Sequence, residues 1–300
     1  MNSTEQPMPE TPEATTNPGI LSRLLRGGCL AMVLLVLAAM IIPAAIAPRD
    51  FDDRRKRSCP NNLKQLGLVF KMYANESGPA EYFPALSTDP GRMMFEAYDT
   101  KADGAGEPLY PVYISDPLTM YCPEDPHRVA SAAELQVAPE TAFDDHSYFY
   151  LGYAVTDEES MVAFAAAYRA ALGKPDPFLD DLSVAPGTGT FGTGTLYRLR
   201  DSLAHELHKQ GVVISGTQPE PEIYIHERLA SRIPVIIERI DLPGYASCDG
   251  CENHSPLGGN VLFLDYSVRF IPYPGEWPMT EATMRSLLEL NALGAEGADS

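Results

Sequence analysis

Residues 27–48 read GGCLAMVLLVLAAMIIPAAIAP without a single charge, and residues 54–67 continue RRKRSCPNNLKQLG. A helix rises about 1.5 Å per residue, so about 20 apolar residues cross the hydrocarbon core of a bilayer. The run reaches that length and predicts a transmembrane helix over 27–48, with Pro43 tolerated near its end. A cleaved secretory signal is the competing reading. Arg23 and Arg26 precede the apolar core, and Ala45-Ile46-Ala47 resembles a small-residue cleavage site. Pro48 directly after that site, and a run longer than the usual h-region of about 7–15 residues, favour retention.

Orientation sets two signals against each other. Arg23 and Arg26 lie before the run, while Arg49, Arg54, Arg55, Lys56 and Arg57 follow it, which alone places the C-terminal side in the cytoplasm. Cys59, Cys122, Cys248 and Cys251 all follow the run, an even set that suits an oxidising compartment. The cysteines decide the expectation: inner membrane, single pass, with the C-terminal domain on the periplasmic side.

The 300 residues carry 22 Lys+Arg against 41 Asp+Glu, a formal charge of −19. Such a surface repels phosphate backbones, so nucleic acid is excluded as a partner. Residues 1–26 begin with a Pro- and Thr-rich polar stretch that buries no core and is expected to be disordered. The expected domains are this tail at 1–26, the helix at 27–48 and an α+β domain over 49–300. With 27 prolines and 23 glycines, that domain should be rich in turns.

Local patterns outline it. Pro60 suits the first turn of a helix, and Leu63, Leu66, Phe70 and Tyr73 then form one apolar stripe. Residues 147–155 (SYFYLGYAV) and 232–240 (RIPVIIERI) read as strands. Residues 156–172 read as a helix, with Thr156 and Glu159 as a capping box. A flexible Gly/Thr loop is expected over 187–195, then a helix over about 196–209. Residues 260–264 and 267–271 read as two strands joined at Asp265-Tyr266, preceded by a bend at Gly258-Gly259, and residues 280–293 as a closing helix.

Four blocks carry a family resemblance: CPNNLKQLGLVFKMYAN (59–75), YISDPLTMYCPEDP (113–126), SYFYLGYAV (147–155) and NHSPLGGNVLFLDYSVRFI (253–271), followed by PYPGEWP (272–278). Together they resemble prepilin-type processing-associated proteins, pseudopilin-like proteins with a His–spacer–Asp-Gly signature. His254 matches the signature histidine and Asp265 its aspartate, with ten residues between them. The resemblance implies a long membrane-anchored helix packed on an antiparallel sheet, with a structural or scaffolding role in cell-envelope assembly or secretion and no catalysis. Its implied partners are the membrane and further copies of itself or other pilin-like proteins. Two departures stand out. Processing after Gly28 would make the fifth mature residue Val33 instead of Glu. The Asp-Gly is here Asp265-Tyr266, and Tyr does not accept positive φ as Gly does, so the turn should differ from a two-residue type I′ turn.

His254, Gly258, Gly259, Asn260 and Asp265 are therefore the expected site residues, in a structural role. Cys59, Cys122, Cys248 and Cys251 are disulfide candidates, either within the Cys248–Cys251 pair or to Cys59 and Cys122. The alternative is zinc held by Cys248, Cys251 and His254. Calcium at acidic pairs such as Glu124-Asp125, Asp144-Asp145 or Asp180-Asp181 lacks the Asp-x-Asp-x-Asp-Gly pattern, and no cofactor is expected. His205-Glu206-Leu207-His208 lacks the i, i+4 spacing of a zinc protease and reads as a solvated helix face. Asp201, Ser202 and His205 lie too close on one helix for a hydrolase triad. The rival functions are a metal-, sugar- or peptide-binding domain and, more weakly, a hydrolase.

Overall fold

Helix α1 (Cys59–Glu76) buries Leu63, Leu66, Phe70 and Tyr73 along one face and turns Lys64, Gln65, Leu68, Lys71 and Met72 outward. The computed structural model describes residues 59–97, 108–123, 138–143, 147–214, 222–240, 242 and 257–298. Every described residue belongs to the compact unit Arg54–Ser300.

Beneath α1 lies a four-stranded antiparallel sheet in the order β1-β4-β5-β6. Its strands are β1 (Tyr148–Tyr150), β4 (Pro234–Glu238), β5 (Gly258–Phe263) and β6 (Val268–Pro272). The inner strands β4 and β5 are buried along their whole length, as a strand covered on both faces must be. Pro234 cannot donate to the ladder, and it sits at the start of β4, where the pairing to β5 shifts register. The edge strand β6 is largely exposed, and Arg269 lies over the ring of Phe263 at 3.6 Å. A short second sheet pairs β2 (Leu182–Ser183) with β3 (Thr195–Leu196).

An aromatic cluster joins α1 to the rest. The Phe70 ring, fully buried, meets Phe83 at 5.5 Å, Phe95 at 5.2 Å and Tyr150 at 5.4 Å between ring centres. Around this core stand α2 (Glu158–Ala171), α3 (Leu203–Lys209), α4 (Glu222–Ala230) and α5 (Glu281–Ala298), with α2 packed on α5 and α3 on α4.

Several expectations are corrected. The α+β class and antiparallel sheet are present, but the long N-terminal transmembrane helix is not supported: among the described residues no helix is long and apolar enough to cross a membrane. The two longest helices among the described residues, α1 and α5, carry Lys64, Lys71 and Glu76, and Glu281, Arg285 and Glu289, so each is amphipathic. The membrane, single-pass and inner-membrane expectations fail on that finding, and residues 27–48 themselves lie outside the described residues, as does the tail at 1–26.

Smaller corrections have local causes. The capping box of α2 sits one residue later than expected, with Asp157 accepting from the Ser160 amide at 2.7 Å and Ser160 Oγ accepting from the Asp157 amide at 2.9 Å. Thr156 Oγ1 is engaged elsewhere, accepting from the Phe191 amide. The Gly/Thr stretch 187–195 is anchored at its middle, where Thr190 is fully buried and donates to the Ala154 carbonyl at 2.5 Å, while Gly187, Gly192 and Thr193 are exposed. Residues 196–200 are extended, because Arg198 bridges to Tyr153 and Arg200 to Tyr82, and the helix begins only at Leu203.

Removing the Phe70 ring leaves a void that three other rings line. Phe70→Ala should lower unfolding free energy by about 3–5 kcal/mol in urea melts. A loss under about 1 kcal/mol would mean that α1 is not seated on this cluster.

Candidate functional site

Strands β4 and β5 bring Glu238 and Asn260 together inside the sheet. Glu238 is fully buried, and its Oε2 accepts from the Asn260 backbone amide at 2.7 Å and from Asn260 Nδ2 at 2.8 Å. A buried carboxylate is costly unless hydrogen-bonded, and two donors from one residue meet part of that demand at fixed geometry. Gly259 makes room for it, since a Cβ there would lie 3.2 Å from Glu238 Cβ and 2.6 Å from Met279 Cε. Gly258 is likewise required by its surroundings: a Cβ would come 2.5 Å from Phe270 Cζ and 2.7 Å from the Ile271 carbonyl oxygen. The expected bend at Gly258-Gly259 is thus a piece of strand, whose glycines let neighbours approach closely.

Cys59 opens α1 and forms a disulfide with Cys122, across a sequence separation of 63 residues. Next to it, Asn62 Nδ2 donates to the Tyr121 carbonyl at 2.8 Å, so the same two segments are joined twice. Cys59, Cys122 and Glu238 place ligand-type atoms within 4.8 Å of one another. Metal binding by cysteine needs a thiolate, and both sulfurs are spent in the disulfide, so this grouping is packing.

The turn between β5 and β6 runs through Leu264, Asp265 and Tyr266. The Tyr266 amide donates to the Phe263 carbonyl, and the Phe263 amide to the Ser267 carbonyl, both at 2.9 Å. This is a three-residue connection whose last residue takes the left-handed conformation, and Tyr266 has φ +61°. Asp265 Oδ1 braces it, accepting from the Ser267 amide at 3.0 Å and from Ser267 Oγ at 2.6 Å. The left-handed geometry costs a non-glycine residue about 1–2 kcal/mol. Contacts offset it: Tyr266 donates a hydrogen bond to Asp201, and Lys71 Nζ lies 4.8 Å from the centre of its ring. Burial, then the bond to Asp201, pushes the Tyr266 phenol above its ordinary pKa.

Beyond Asp201 lies a network of fixed charges. Arg200 pairs with Glu206 at 2.7 Å and with Asp181 at 3.2 Å. Burial alone would lower the Arg200 pKa, but the Glu206 hydrogen bond and both carboxylates outweigh it and the pKa is raised. The same Arg200 bond, against partial burial, holds Glu206 below the usual carboxylate range. Arg198 donates to the carbonyls of Leu179 and Phe83 and lies over the Tyr82 ring at 4.5 Å. Ser202 Oγ donates to Glu206, and Asp201 is taken by Tyr266 and Lys71, so no Ser–His–Asp relay exists among Asp201, Ser202 and His205. Asp181 also accepts from the Arg198 backbone amide, so its carboxylate serves both Arg198 and Arg200.

Two clefts lie on the described surface. One of about 380 Å³ is bordered by Asp89, Glu96, Lys174 and Asp176; the other, of about 330 Å³, by Ser231, Arg232, Arg269, Glu276 and Trp277. Both fall at the small end of ligand sites, which run to about 1,000 Å³. Of the expected site residues, the structure places Gly258, Gly259, Asn260 and Asp265 on one hairpin and Cys59 and Cys122 beside it. His254, Cys248, Cys251 and the acidic pairs at 124–125 and 144–145 lie outside the described residues. The sequence reading missed Glu238, whose signal was a lone carboxylate closing the apolar run 233–237.

Comparison with protein-family models, with curated proteins and with solved structures finds no match to the chain.

By loop-closure entropy, a cross-link spanning 63 residues stabilises by about 4 kcal/mol. Cys122→Ser should therefore lower stability by about 2–4 kcal/mol, and reduction should bring wild type down to the same value. A variant as stable as oxidised wild type would remove the disulfide from the account.

Proposed function

We propose that the Arg54–Ser300 unit is a pseudopilin-like, non-catalytic module with a structural or scaffolding role in cell-envelope assembly or secretion. The observation that carries this reading is the layout: one long helix seated along an antiparallel sheet and covalently tied at its first residue. Every described part of the four resembling blocks supplies a piece of that layout. Residues 59–75 make α1, residues 113–123 bring Cys122, residues 147–155 contain β1, and residues 257–272 form the β5–β6 hairpin.

The chemistry of the described residues also favours a scaffold. Arg198 is spent on backbone carbonyls and Arg200 on Asp181 and Glu206, an arrangement suited to rigidity and not to turnover. The outward face of α1 carries Leu68, 60 % exposed, and Met72, 44 % exposed, one helical turn apart. These are the positions at which assembly should be sensitive.

Sedimentation velocity and electron microscopy of the purified full chain test the reading. The expected result is concentration-dependent, regular self-assembly that Leu68→Glu with Met72→Glu weakens while the melting temperature holds. A chain that stays monomeric up to high concentration, or one that turns over a substrate, would overturn it.

A further inference from the structure

We propose that His205, His208 and His226 form a three-histidine site for a divalent transition metal, zinc foremost. Three of the chain's six histidines meet here, although His226 is 18 residues beyond His208 in sequence. His205 and His208 are three apart on α3 and so share a helix face, where side chains so spaced start about 5–6 Å apart at Cβ. Helix α4 packs against α3 and delivers His226 to that face. The His226 ring centre lies 5.2 Å from that of His205 and 5.3 Å from that of His208.

Those spacings suit a shared ion. With Zn–N bonds of about 2.0–2.1 Å and tetrahedral angles, two imidazoles on one zinc place their ring centres about 5 Å apart. The rings meet edge to face, at 61° and 77°, not stacked flat as a purely apolar contact allows. His226 Nδ1 is buried and has no hydrogen-bond partner among the described residues. That is a lone pair or an N–H shielded from water with nothing to satisfy it, and a metal ion would satisfy it. The three histidines do not bring one nitrogen each within 4.8 Å of the others in the rotamers seen, so binding must turn at least one ring about its side-chain torsions.

Imidazole nitrogen suits zinc, copper and nickel better than calcium or magnesium. Three protein ligands leave a fourth zinc position for water or an outside donor, and His205 is exposed, which opens the site to solvent. The neighbouring carboxylate on α3, Glu206, is committed to Arg200 and stays out of the set. The formal charge of −19 raises the local concentration of cations around the chain.

The test titrates zinc alone into chelator-treated full chain at a pH near 7.5, where ordinary histidines are neutral. Calorimetry should give one equivalent bound through this site, and cobalt in its place should give the intense visible bands of tetrahedral coordination. Loss of an outer-shell partner already costs about 10–100-fold in metal affinity, so His226→Ala should weaken binding at least that much. His205→Ala, at an exposed position that folding does not depend on, should weaken it similarly with the metal-free melting temperature unchanged. Cys248→Ser with Cys251→Ser should leave this binding as in wild type. The proposal is overturned if wild type binds no zinc, if both histidine variants keep wild-type affinity, or if binding disappears with the cysteines.

Discussion

A carboxylate fully shielded from water closes the central strand β4, and the surrounding chain is arranged so that it stays hydrogen-bonded. Glu238 demands donors at a fixed place, and Asn260 supplies two only while β5 holds its register against β4. A one-residue slip would turn Asn260 to the opposite face and leave the carboxylate without its donors. The same demand fixes Gly259, because any side chain there would crowd both Glu238 and Met279. The sheet's register, its glycine pair and its buried acid are one constraint expressed three times.

Helix α1 completes this arrangement from above. Gly67 permits its close approach, for a Cβ there would sit 3.2 Å from Leu262 and 3.4 Å from the Tyr266 ring. Phe70 fills the space beyond, and the Cys59–Cys122 bond with the Asn62–Tyr121 hydrogen bond holds the helix start. Tyr266 links this layer to the charge network through Asp201 and Lys71. A residue that ought to be glycine on conformational grounds is thereby made into a tether between hairpin, helix and loop.

Legibility followed the range of the interactions. The stripe Leu63, Leu66, Phe70 and Tyr73 announced α1, and the two short apolar runs 260–264 and 267–271 around Asp265-Tyr266 announced the last hairpin, because both patterns are local. Helix α4 was missed: Ile223-Tyr224-Ile225 is a β-branched and aromatic run, and the described buried positions, Leu229 and Ala230, fall at the helix end. Arg198 and Arg200 sat in a segment read as helix, since their bridges run to Tyr153 and Tyr82, far away in sequence. Glu238 and Asn260, 22 residues apart, and His226 with His205 become neighbours only after strands and helices pack. No spacing rule on a single sequence reaches that far.

The most direct test is a double-mutant cycle on the Glu238–Asn260 pair, using Glu238→Gln, Asn260→Ala and both together, followed by urea unfolding with an unchanged m-value as the control on folding. Groups in one buried hydrogen-bond network couple by about 0.5–3 kcal/mol, and the account predicts a coupling in that range. Losses that simply add, to within about 0.3 kcal/mol, would contradict the claim that this pair sets the register of the sheet.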